Sequence, residues 1–576
     1  DLNTAIGYAS LDANTTGGNN TAVGAAALGS NTTASNIVAV GFSALGLNTT
    51  GTSNVAVGPY NLDANTTGAS NVAVGSSALG ANTTGSYNAA FGGNALKANT
   101  TAGSNSAFGH NGLAATTTGG NNVAVGFNCL DANTTGANNT AVGSSALGAN
   151  TTGASNTALG VSALSANTTA AGNTAVGLNA LLANTTGAPN VAVGVFALDA
   201  NTTGAQNTAI GYASMTSNTT ASNNTALGIN SLALNTTGSG NTALGRYALY
   251  NNTTAADNTA VGNSCLQNTT TGASNIGVGT GALFANTTGA GNVAIGHNTL
   301  DANTTASNNT AVGYAVLTAN TTGTGNSALG QGAGGANTTG GGLTAVGNGA
   351  GGANTTGTNN TAIGYQTLDA ATTGANNTAV GQAALGATTT GAQNVGLGNS
   401  AGASLTTGTY NVLIGYNVQA AAVGATNEIV IGNGNQVGKG NSSGYISPGG
   451  GPMYNGQNST VWVATSDRRI KKDIVPNTKG LAAINQIEPK NFYYKSNEEL
   501  QEEMPGAKED LPLNKLTTSA IAQELDLIFP EAIERRGEHD IMSVNTDPIF
   551  WSMINAIKEL SKELDELKQW KKDYTS

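Results

Sequence analysis

A glycine returns every seventeen residues without a miss. It stands at Gly7, Gly24, Gly41 and Gly58 and keeps the same step to Gly398, Gly415 and Gly432, 26 times with no insertion or deletion. A period this strict makes each seventeen-residue segment one structural unit that stacks on the next. The repeat reads N-T-A-[VIL]-G-x-x-A-L-x-A-N-T-T-G-x-x, and coil positions are numbered here from its first Asn, so that Asn3 is position 1.

The pattern excludes helices, because Gly at positions 5 and 15 with Asn-Thr-Thr before the second interrupts any helix within about ten residues. Two short strands per coil, turned by the two glycines, are expected instead. Position 4 is Ile6, Val23 and Val40, and position 9 is Leu11, Leu28 and Leu45, giving way to glycine late in the array at Gly334, Gly351 and Gly402. One branched aliphatic, one Leu and two or three Ala per turn predict a mainly β fold, a narrow parallel β-solenoid or β-roll. Val is expected to stack on Val and Leu on Leu. Asn recurs at position 12 (Asn14, Asn31, Asn48), which predicts an amide ladder from coil to coil. At ~4.8 Å per coil the array makes a rod of roughly 120 Å.

Composition agrees with a thin core. Of 576 residues 82 are Gly, and only 9% are charged and 5% aromatic, too few for a broad globular interior. A formal charge of −11 argues against nucleic acid as a partner. No apolar run approaches the ~20 residues that span a bilayer, so no membrane insertion is expected. The chain opens at Asp1 partway through a repeat, and an anchor or further shaft is expected before it. Cys129 and Cys265 share position 8, eight coils and roughly 38 Å apart, and are read as small buried hydrophobes rather than a disulfide.

Chemistry is sparse in the shaft. Asp stands at position 10 in six coils (Asp12, Asp63, Asp131, Asp199, Asp301 and Asp369). The closest two are three coils or roughly 14 Å apart, wider than the ~5–10 Å of a glycosidase pair, so they are read as turn residues. Neither a metal site nor a cofactor is expected. Each N-T-T tract is a glycosylation acceptor pattern, but ladder formation is the preferred reading. Thr at positions 13 and 14 is adjacent and points to opposite sides, which argues against an ice-binding face. Aromatic rings gather at positions 6 and 7, and Tyr8, Tyr212, Tyr314 and Tyr365 are candidate glycan contacts, alongside the plainer reading of turn packing. Active-site loops on solenoids come as insertions, and there are none, so the shaft is a spacer or binding surface rather than a catalyst. Over residues 1–432 the array resembles the heads of trimeric autotransporter adhesins, whose shorter N-S-x-A-I-G-type repeats form left-handed β-rolls packed as trimers.

The chain changes character near residue 440. Sixteen of 19 Lys+Arg and 21 of 30 Asp+Glu lie in the last 136 residues. Residues 433–465 read as a Gly/Pro/Ser-rich link with a short β segment, and 466–576 as a small α+β domain. A helix is expected over 480–496, giving way to a strand around Phe492, and another element over 519–528. A long helix follows from Pro548. Its apolar residues Phe550, Met553, Ile557, Leu560, Leu564 and Leu567 alternate in steps of 3 and 4, a heptad seam that predicts a parallel coiled coil and self-association.

Three ordered motifs carry a second resemblance: Ser466-Asp-Arg-Arg-Ile-Lys471, Ala522-Gln-Glu before Phe529-Pro-Glu531, and Asn555-Ala-Ile-Lys-Glu-Leu560. Together they resemble the intramolecular chaperone domain that ends endosialidase tailspikes and many phage tail fibres. The resemblance implies a homotrimer whose C-terminal domain nucleates folding of the shaft and cuts itself off between Thr465 and Ser466. Ser466 is then the nucleophile and Lys471 its base, with Lys472 a competitor; a Ser hydroxyl needs such a base, and Lys serves only when its pKa is lowered. The implied protein is a viral (phage) tail-fibre or appendage rod of the virion. Its partners are two further copies of itself, other virion tail proteins and a host-surface glycan or protein receptor. A bacterial trimeric surface adhesin, extracellular, is the alternative, and a polysaccharide-degrading tailspike a lesser one.

Overall fold

A computed structural model describes residues 2–447, 453–456, 463–464, 472–496, 498–499, 516–536 and 541–575. The chain divides into two compact units, Asp1–Thr465 and Ser466–Ser576.

The first unit is a parallel β-solenoid. Each coil contributes one strand of three residues at positions 2–4, from β1 (Thr4–Ile6) and β2 (Thr21–Val23) to β25 (Val412–Ile414), followed by β26 (Ile429–Gly432). Neighbours pair in parallel with partners seventeen residues apart, as in Ala5 with Ala22. Among the described residues of the coils the expected second strand is absent. Positions 12–14 form a bend, and here the inter-coil bonds are Thr15 N–H to the Thr32 carbonyl (2.8 Å) and the Thr15 hydroxyl to that same carbonyl (2.8 Å). Stacking continues beyond the strict repeat: β27 (Gly444–Ser447) pairs in parallel with β26, and antiparallel β28 (Met453–Asn455) and β29 (Val463–Ala464) follow.

The core differs from the expected one in a specific way. Side chains alternate along a strand, and with three residues only the middle one points inward. That residue is the Ala of position 3, fully buried beside the Ala of position 8 and the Leu of position 9. The aliphatics of position 4 therefore lie on the outer face with position 2, partly or fully exposed from Val23 to Leu397. Leu does stack on Leu.

Polar groups close each coil. Asn31 Nδ2 donates to Asn14 Oδ1 (2.9 Å) and to the carbonyl of Ala34 in its own coil (3.1 Å), which is the predicted ladder. A second ladder runs at position 1, where Asn20 Nδ2 donates to the same Ala34 carbonyl (2.9 Å) and Asn3 Oδ1 accepts the Asn20 N–H (2.8 Å). Both Asn columns are buried from the second coil on. A buried amide must be paired, and here each is paired to the coil above or below.

Two backbone demands fix the motif. Gly177 at position 5 has φ +134°, and a Cβ there would lie 2.5 Å from the carbonyl oxygen of Gly194 in the next coil. Position 9 is left-handed (Leu28, φ 55°), costing a Leu about 1–2 kcal/mol, which burial of the side chain at about 1.5–3 kcal/mol offsets. Glycine relieves that strain at Gly334 and Gly351, and the emptied space is filled from another column. Leu343 replaces the Asn of position 1 and is buried, its Cδ2 3.0 Å from where a Cβ of Gly334 would sit.

Two gaps interrupt the ladder between Asn14 and Asn354. Thr116 and Thr269 replace Asn at position 12, and Asn99 Oδ1 and Asn252 Oδ1, which should accept from them, are buried without a partner. Thr116→Asn and Thr269→Asn restore the donor, and each is expected to stabilise the shaft by about 1 kcal/mol in denaturant unfolding. Gly177→Ala is expected to cost about 3 kcal/mol or more in the same measurement.

Candidate functional site: the C-terminal unit and the outer faces of the shaft

The second unit is built on a 29-residue helix, α3 (Asp547–Thr575), with two short helices, α1 (Leu481–Ile484) and α2 (Ala522–Asp526), and a 3-10 turn at Pro530–Ala532. Two antiparallel pairs complete it: β30 (Lys490–Phe492) with β31 (Thr517–Ser519), and β32 (Ile533–Arg536) with β33 (Ile541–Val544). Leu525, Phe529 and Ala532 form its core.

The motif residues dock the segment after Lys472 onto α3. Asn477 Nδ2 donates to Ser552 Oγ (3.0 Å), while Asn555 Nδ2 donates to the carbonyls of Asn477 (2.8 Å) and Lys479 (3.2 Å). Glu559 accepts the Leu481 N–H (2.7 Å), satisfying an open donor at the start of α1. Lys479 Nζ lies 4.7 Å from the ring centre of buried Phe529 and donates to the Ile528 carbonyl (2.6 Å) and Glu531 (3.0 Å). Burial raises and Lys479 lowers the Glu531 carboxyl, with the net shift downward. This strap of Asn477 and Lys479 carried no signal in the sequence beyond its distance from the first motif.

The face that α3 turns to its own unit is small and polar, with Ser552 and Ala556 buried. Its heptad residues Phe550, Met553, Ile557, Leu560, Leu564 and Leu567 are instead 45–61% exposed. Thr465, Ser466 and Lys471 lie outside the described residues.

In the shaft the predicted tyrosines are exposed, Tyr8 at 86% and Tyr212, Tyr314 and Tyr365 at 50–57%. Two of them pair with the coil before: Tyr212 with Phe196 edge-on (6.1 Å between ring centres) and Tyr314 stacked on His297 (5.6 Å). His110 stacks on Phe127 in the same manner (5.8 Å), so imidazoles belong to this aromatic column, which the count of Phe, Tyr and Trp missed. Asp63, Asp131, Asp301 and Asp369 have their carboxyls raised above the usual range, chiefly by partial burial. Cys129 and Cys265 are free and buried, and desolvation pushes both thiols up to about 12, so they are not nucleophiles at neutral pH. From the second coil on, the Asn of the N-T-T tracts at position 12 is buried in its ladder and closed to a glycosyl carrier. Among the described residues no group of His, Cys, Asp or Glu is placed to hold a metal, and no helix is long and apolar enough to cross a membrane.

Residues 466–534 match the family described as chaperone of endosialidase. The second unit thus carries a chaperone-of-endosialidase domain behind a long parallel β-solenoid. The match begins at Ser466 and ends before α3, so the Asn555–Leu560 motif lies beyond it. Searches of curated proteins and of solved structures return no match.

Glu559→Ala leaves the Leu481 N–H without its acceptor. It is expected to destabilise the second unit by about 1–2 kcal/mol, seen as an earlier unfolding transition of that unit in the full chain.

Proposed function

We propose that the chain is a homotrimeric viral tail-fibre or appendage protein, a rod for attachment to a host surface that its C-terminal domain assembles. The observation that carries this reading is the chaperone-of-endosialidase domain placed directly behind an uninterrupted solenoid. Long parallel β-structure is slow to fold, since distant contacts form only after their loop entropy has been spent. A unit that gathers three chains before the shaft zips up gives all three the same register.

Two apolar surfaces support a trimer. One is the exposed heptad face of α3. The other is the outer sheet face of the shaft, where positions 2 and 4 of all 26 coils hold no charged residue. The stripe of Val, Ile, Leu and Phe at position 4 exceeds the few hundred Å² usual on a monomer, and at roughly 40 Å² per side chain its 26 residues offer about 1,000 Å² per chain, against the ~800 Å² a stable interface takes.

Release before Ser466 completes the proposal. Lys471 takes the Ser466 hydroxyl proton and Oγ attacks the Thr465 carbonyl carbon. The C–N bond breaks as its nitrogen is protonated, and water hydrolyses the ester left behind.

Mass measured in native and in denaturing solution tests both parts. A native mass three times that of residues 1–465, and in denaturing solution two fragments divided at Thr465–Ser466, are expected. Ser466→Ala should leave the chain whole and still trimeric. A monomer would refute the assembly, and a wild type that stays whole would refute the cleavage. Within a trimer, a Cys at Leu227 on the sheet face should react with maleimide at least ~10-fold more slowly than one at exposed Thr237 of the same coil.

A further inference from the structure

The aspartates and the rings of the shaft occur together. Only 12 of the 26 coils carry an aromatic or imidazole ring at position 6 or 7, yet all six coils with Asp at position 10 are among them. Independent placement would give about three. The pairs are not copies of one segment: Tyr60 precedes Asp63, Phe127 precedes Asp131 and His297 precedes Asp301, so ring type and ring position both vary.

Positions 7, 10 and 11 line a groove on the shaft, with Tyr60 the ring among the lining residues. One cavity of about 330 Å³ is lined by Asp12, Tyr60 and Asp63 with Ser30, Ser43 and Leu47. A second, of about 310 Å³, is lined by Asn94, Lys97, Asn111 and Asp131. The coil after each Asp leaves its carboxylate open or holds it. Gly80, Gly148 and Gly386 stand beside Asp63, Asp131 and Asp369, where a Cβ would come within 3.3–3.5 Å of the carboxylate oxygen. Thr216 donates to Asp199 Oδ1 (2.6 Å), and Asp301 Oδ1 has no protein partner. The carboxylates are also unfavourable to the fold. Partial burial disfavours their charged form, a penalty that Asn of the same shape would avoid. A charge that burial disfavours at Asp63, Asp131, Asp301 and Asp369, kept beside an exposed ring each time, points to a ligand.

We propose that this groove is a repeated binding site for a neutral polysaccharide, each subsite consisting of one ring and one Asp. The flat ring takes the C–H face of a pyranose and the carboxylate accepts its hydroxyl protons. The acidic balance of the groove, with Lys97 its one cation at position 10, turns away acidic sugars. Asp63, Asp131 and Asp199 follow at intervals of four coils, roughly 19 Å, so one glycan chain along the groove engages several subsites and gains avidity. The proposal rests on the attachment reading above and names its ligand class.

Affinity electrophoresis of the full chain through gels containing dextran, galactomannan or polysialic acid tests it. Retardation by a neutral polysaccharide is expected. The triple variant Asp63→Asn, Asp131→Asn, Asp199→Asn and the double variant Tyr60→Ala, Phe127→Ala should each weaken it at least tenfold. Phe91→Ala on the sheet face should leave it unchanged. Burial raises the folded Asp63 and Asp131 carboxyls above their unfolded values, so Asp63→Asn and Asp131→Asn should each be no less stable than wild type at pH 7, with the difference closing as pH falls through the carboxylate range. Retardation by polysialic acid instead, by none of the three, or equally in all variants overturns the inference. A trimer that no polysaccharide retards leaves the rod reading standing, whereas a monomer that is retarded sinks that reading and keeps the groove.

Discussion

Each coil of the shaft is held by amide side chains that bond to a coil they do not belong to. The Asn of position 12 donates once within its coil and once to the Asn seventeen residues earlier, as Asn65 does to Gly68 and Asn48. Both partners of a buried amide must be in place or its desolvation is uncompensated. An insertion of one residue would misalign both Asn columns at once, along with the glycine of position 5, whose missing Cβ is what lets the next coil approach. The unbroken period is thus a packing requirement on every coil.

This constraint also distributes function. A core of Ala, Leu and Asn leaves no interior volume for a ligand, so anything the shaft recognises must lie on its outer columns. The columns divide by chemistry. Positions 2 and 4 are free of charge, while positions 6, 7 and 10 hold the rings, Arg246, Lys97 and the aspartates. A charge-free face suits contact with identical copies and the mixed face suits a polar ligand. The proposed self-cleavage belongs to the second unit, where the chain regains lysines, arginines and acids.

Much of the fold was legible in the sequence because the period is visible without structure. Gly7 and its successors, Leu at position 9 and the Asn14 column were placed by pattern alone. The position of Val23 and its equivalents was misjudged, since an aliphatic residue was equated with a buried one. In a strand of three residues the smaller central Ala takes the inner place and the larger neighbours face outward. The left-handed Leu of position 9 contradicts ordinary preference and has no sequence signature. The exchange of Gly334 and Gly351 for Leu343 becomes readable only once the columns are seen to share one core. In the second unit the motifs were legible but their work was not. Asn555 and Glu559 act on backbone some 78 residues earlier in the chain, a contact that spacing does not reveal.

The central claim is that the shaft is a stack of independent-length units locked in a seventeen-residue register. Electron microscopy of the full chain beside a variant lacking five whole coils, 85 residues from Asn139 through Asn223, tests it most directly. The account predicts a rod that still folds and is shorter by about 24 Å, five times the ~4.8 Å step between stacked strands. A variant that fails to form a rod, or one whose length does not change by that amount, would contradict it.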